Sequence, residues 1–112
     1  MVKEKMEKET QEKLMQLQLL QQRLQVFAAQ KQQIQIEQIE VENALKAISN
    51  TKKPVYSLVG NIMVERSASD LKKELTSQKK EVDIKIKSIE RQEKKSQDSA
   101  EEIQSQLTKL LK

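Results

Sequence analysis

Histidine and cysteine, which carry most general acid–base, thiol and transition-metal chemistry, do not occur in this chain. What remains is carboxylates, amines, hydroxyls and a single phenol, Tyr56. The carboxylate clusters Glu37/Glu40 and Glu101/Glu102 sit in charged stretches. With no pocket to set their protonation they read as surface charge rather than acid–base pairs. The basic pairs Lys52-Lys53, Lys79-Lys80 and Lys94-Lys95 read as solvated faces. There is no Walker-type phosphate loop. The residues therefore predict no catalytic, metal or cofactor site and no disulfide. The chemistry left to this chain is the burial of apolar surface against partners.

Composition says what kind of element presents that surface. The 112 residues allow one domain at most, taken as 1–112. One Phe, one Tyr and no Trp are too few for a compact globule of this size. Gln, Lys, Glu, Leu and Ile dominate, as they do in coiled coils. No run approaches the roughly 18 apolar residues of a membrane span. The start, Met1-Val2-Lys3-Glu4-Lys5-Met6, lacks the apolar core of a secretory signal. A soluble, cytoplasmic protein is expected. The +4 charge comes from 21 basic and 17 acidic residues with interspersed signs, which argues against a nucleic-acid stripe.

The only Pro and the only Gly, Pro54 and Gly60, lie close together near the middle. The chain reads as helix, short interruption, helix, with helices over about 8–49 and 68–110. In the first, steps of three and four residues pick out Leu17, Leu20, Leu24, Phe27, Lys31, Ile34, Gln38, Val41, Leu45 and Ile48. In the second they pick out Leu75, Lys79, Val82, Ile86, Ile89, Glu93, Ser96, Ala100, Ile103, Leu107 and Leu110. Both are coiled-coil seams, the second weaker around Glu93 and Ser96.

Folding about Gly60 brings the seams into register, Leu17 with Ile103, Leu20 with Ala100, Ile34 with Ile86 and Leu45 with Leu75. The polar positions then meet apolar ones: Lys31 opposes Ile89, Gln38 opposes Val82, and Glu93 opposes Phe27. A register offset by seven residues stays open at this point. The Lys31 stem is expected along the seam with its ammonium in water.

Between the helices, Ser49–Pro54 is polar and stops the first. Val55–Val59 and Ile62–Arg66 are β-branched-rich runs flanking Gly60-Asn61. Gly at the first central position suits a type II′ turn, giving a hairpin within 55–66. Val59 then opposes Ile62, Leu58 opposes Met63, Ser57 opposes Val64, and Tyr56 opposes Glu65. Ser67, with Asp70 three residues on, opens the second helix as an approximate capping box. One hairpin face carries Val55, Val59, Ile62 and Val64, the other Tyr56, Leu58 and Met63. An isolated two-stranded hairpin is marginal in water and its open edges invite other strands. These seven residues are the expected subunit interface.

The fold class is mainly α, a long antiparallel two-helix coiled coil joined by a central β-hairpin. Helix, Val55-Tyr56-Ser57-Leu58-Val59-Gly60-Asn61-Ile62-Met63-Val64-Glu65-Arg66, then helix: the chain resembles the beta-class subunits of prefoldin over nearly its whole length. The specificity lies in the central stretch, midway between helices of similar length. With room for one hairpin, it differs from alpha-class subunits, which have two.

The resemblance implies an ATP-independent molecular chaperone, a hetero-hexamer of two alpha-class and four beta-class subunits whose hairpins join into a barrel base. Unfolded client proteins are then held mainly by the far ends of the coils and delivered to a group II chaperonin. In this sequence the expected client-binding residues are Leu14, Met15, Leu19, Leu107, Leu110 and Leu111. Leu14, Met15, Leu19 and Leu111 are apolar beyond what one seam requires. The competing reading is a structural coiled-coil adaptor that holds no clients, with Ile36 and Ile39 as its partner surface. Nucleic-acid binding is the third and weakest, and no membrane partner is expected.

Overall fold

The computed structural model describes residues 2–111. Its elements run α1 Val2–Ser49, β1 Val55–Val59, β2 Ile62–Arg66 and α2 Ala68–Leu111. Helix α1 begins earlier than the sequence pattern suggests. The apolar seam fades upstream of Leu17, but Lys, Glu and Met continue there, and their helix propensity carries the helix on.

The junctions are capped by local hydrogen bonds. At the end of α1 the Thr51 amide donates to the Ile48 carbonyl at 3.3 Å, and the Ser49 hydroxyl donates to the Lys46 carbonyl at 2.9 Å. Lys46 lies in the last turn, where a cation suits the carbonyl end of the helix dipole. At the start of α2 the Asp70 amide donates to the Ser67 hydroxyl at 3.1 Å, the expected N-cap bond. The first helical bond follows, from the Leu71 amide to the Ser67 carbonyl.

β1 and β2 pair antiparallel with Val59 opposite Ile62, Leu58 opposite Met63, Ser57 opposite Val64, Tyr56 opposite Glu65 and Val55 opposite Arg66. Gly60 has φ 61°, while no non-glycine residue among those described has positive φ. Positive φ at the first central residue alone is the signature of a type II′ turn. A Cβ built at Gly60 meets nothing within 4 Å, so the need for glycine is conformational rather than spatial.

The chain divides into two compact units. The hairpin unit, Gln33–Lys87, holds the two strands and the helix stretches that lead into them. Its core is Val41, Val82 and Ile86, with Val82 fully buried. Beside them the Gln38 amide nitrogen donates to an Asp83 carboxylate oxygen at 2.8 Å. The terminal unit combines Met1–Gln32 with Ser88–Lys112. Leu107 is its buried apolar residue, and Lys13 donates across to the Gln106 side-chain oxygen at 2.6 Å.

Every expected seam position on both helices is buried or half-buried. The cross-helix bonds settle the register. Gln38, expected opposite Val82, bonds the next residue, Asp83. Lys31, expected opposite Ile89, reaches one turn on to Glu93. A seven-residue slip would move Asp83 about 10 Å along the helix from Gln38.

One expectation is corrected here. The Lys31 ammonium does not end in open water but pairs with the Glu93 carboxylate at 3.2 Å, both side chains less than a third exposed. Two charges in one seam lower their desolvation cost by meeting each other.

Candidate functional site

The hairpin concentrates exposed apolar surface. Tyr56, Leu58, Val59, Ile62, Met63 and Val64 are all exposed, with Leu58 the most open at 71%, and Val55 is half-buried. The strands put them there because successive side chains alternate between faces, and the sequence is apolar on both. The sheet has only two strands, so each keeps one unpaired edge. A surface of this kind is suited to adding strands and burying side chains against other hairpins.

At the hairpin's root Lys52, Lys53, Pro54, Glu65, Arg66, Ser67 and Ala68 line a shallow open groove. Arg66 there forms an ion pair with Glu74 on α2, tying the last strand to the helix that follows it.

In the terminal unit the expected client-binding residues do not form one patch. Leu110 and Leu111 line a groove with Met6, Glu7, Thr10 and Gln11, so α1 and α2 jointly present apolar surface there. Leu19 lies in a separate, mostly apolar groove with Gln22, Arg23, Val26 and Phe27. Leu14 and Met15 are exposed but line neither groove.

Leu107 requires a correction. It is 4% exposed, packed into the coil, and a client could reach it only by opening the helices. Its position on the second seam was the signal for this. Met6 and Val26 are the additions: both are exposed and both line these grooves. Met6 was missed because the expected helix began after it.

Among the described residues no cluster of acidic side chains could hold a metal ion, and no helix is long and apolar enough to cross a membrane.

A family model described as "Prefoldin subunit" matches residues 11–112. The chain belongs to the prefoldin family. Within that family of chaperone-type subunits it is of the beta class. It is 40% identical over 72 residues to prefoldin subunit beta of Archaeoglobus fulgidus, and the match spans 62% of this chain and 62% of the length of that curated relative. The prefoldin beta subunit crystal structure from Thermococcus strain KS-1 superposes with a TM-score of 0.87 at 31% identity, covering 93% of each chain. The prefoldin fold, two long helices with a two-stranded hairpin between them, is the one described above.

Proposed function

We propose that this chain is a beta-class subunit of an ATP-independent chaperone that holds unfolded proteins and hands them to a group II chaperonin. Copies of the chain join alpha-class subunits through their hairpins in a hetero-hexamer. The observation that carries this reading is the hairpin itself, six exposed apolar side chains on a two-edged sheet. Burying each contributes about 1.5–3 kcal/mol, enough in sum to drive assembly.

Client holding is assigned to the terminal unit, to Leu14, Met15, Leu19, Leu110 and Leu111, with Met6 and Val26 added and Leu107 removed. Several small exposed apolar contacts suit weak binding of many sequences, and Met adapts its shape readily. Repetition among subunits supplies the avidity. No nucleotide enters the scheme, in keeping with the lack of a phosphate loop in the sequence.

The adaptor alternative draws on Ile36 and Ile39, which are 53% and 55% exposed on α1. Light scattering from a chemically denatured client, diluted into buffer with the assembled complex, separates the two. Holding predicts suppressed aggregation without added ATP. Undiminished aggregation in the presence of an intact complex would favour the adaptor.

A further inference from the structure

The hairpin unit has two outer edges, and they differ in charge. On α1 the positions facing away from the seam carry Ile36, Ile39, Glu40, Asn43 and Ala47, all exposed. Within the hairpin unit this helix has Glu37, Glu40 and Glu42 against one basic residue, Lys46 in its last turn. On α2 the outward positions carry Lys73, Ser77, Lys80, Ile84 and Lys87, again all exposed. Of the acidic residues near them, Glu74 is paired with Arg66 and Asp83 is held by Gln38, which leaves exposed Asp70 in the first turn of the helix and Glu81 at the margin. One edge thus shows isoleucine beside acid, the other isoleucine among lysines, with Ile84 at 65% exposure.

We infer that these two edges dock on each other between neighbouring copies of this chain, the acidic edge of α1 in one copy against the basic edge of α2 in the next. The inference rests on the proposed assembly, since hairpin joining is what sets copies side by side at a common level. The levels then match. The Gln38–Asp83 hydrogen bond ties the two helices at one height. Ile36 lies two residues before Gln38, and Ile84 is the residue after Asp83. Because the helices run antiparallel, Ile36 and Ile84 stand within about 1.5 Å of the same level. The same offset sets Glu40 beside Lys80 and Asn43 beside Ser77. These three layers are matched in kind, apolar on apolar, carboxylate on ammonium and amide on hydroxyl, while the same offset sets Ala47 beside Lys73.

Charge also selects the mode of contact. A symmetric pairing of the α2 edges would bring lysines onto lysines, and one of the α1 edges would bring Glu40 towards its own copy; both repel. The complementary pairing is the head-to-tail kind, one edge of each copy on the other edge of its neighbour. The apolar part is small, so this contact depends on the high effective concentration that hairpin docking creates. It would brace the coils near the base and leave the terminal unit to clients.

The absence of native cysteine makes a direct test possible. A chain carrying Ile36→Cys and Ile84→Cys is co-assembled with an alpha-class subunit, its native mass checked, and the complex oxidised. Within one chain the two positions face away from each other, and a disulfide needs Cα atoms within about 7 Å, so bonds form only between copies. Covalent dimers of this chain are expected, and neither single-cysteine variant should give them. Their yield should fall severalfold in about 1 M salt, where screening is strong. It should also fall with Lys80→Glu and return when Glu40→Lys is added. A complex of normal mass without dimers, or with equal dimers from Ile36→Cys alone, would overturn this contact and leave the proposed function standing. A cysteine-free chain that fails to assemble at all would overturn both.

Discussion

The Lys31 ammonium on α1 stands 3.2 Å from the Glu93 carboxylate on α2, so the least apolar stretch of the seam is closed by an ion pair. Partly exposed pairs of this kind contribute about 0.2–1 kcal/mol of coupling. A double-mutant cycle on Lys31→Leu and Glu93→Leu, read by thermal loss of helicity, should give coupling in that range that weakens with salt. The double variant should melt higher than either single one, because leucines at both positions bury apolar surface and leave no unpaired charge. Additive effects would show that the pair does not form in solution.

Much of the fold was legible because the signals were local. The heptad positions, from Leu17 to Ile48 and from Leu75 to Leu110, emerged as the less exposed faces. The hairpin register followed from Gly60, whose position fixes the turn and with it every cross-strand pair. What escaped were matters of side-chain reach. Lys31 and Glu93 are assigned separate apolar partners by backbone register, yet a lysine is long enough to span a turn. Asp83 lies off the seam, so nothing in the periodicity marked it as the partner of Gln38. Of the site, hydropathy marked the hairpin surface as apolar, while exposed Leu111 and buried Leu107 are separated only by the seam, which holds Leu107 and not Leu111.

Gly60 should tolerate substitution in the order of left-handed propensity. At φ 61° with open space around it, the cost is backbone strain, about 1–2 kcal/mol for an ordinary L-residue and more for a β-branched one. In thermal dissociation of the assembled complex, wild type should be most stable, Gly60→Asn slightly less and Gly60→Val least. A valine variant as stable as wild type would argue against the type II′ turn.

Leu107 and Leu111 should behave as opposites. Leu107→Ala removes a buried side chain and should destabilise the helices, by about 2–5 kcal/mol if the site packs like a typical core. Its effect should appear in the melting curve. Leu111→Ser at 76% exposure should leave melting within about 0.5 kcal/mol of wild type.

Polar replacement of Leu14, Met15, Leu19 and Leu111 together should leave the mass of the complex unchanged, since none lies in the hairpin. Suppression of client aggregation should fall. Full holding activity in that intact complex would move the client site to other faces of the coil.

The central claim, assembly through the hairpin, is tested most directly by native mass of this chain mixed with an alpha-class subunit, for wild type beside Val64→Asp. Val64 is 42% exposed within the lone chain and should close further on the proposed assembly, where an unpaired carboxylate is costly. The wild-type mixture should give a hexamer of two alpha-class and four beta-class chains. Val64→Asp, with undiminished helicity by circular dichroism, should give none. A normal hexamer from Val64→Asp would contradict the account.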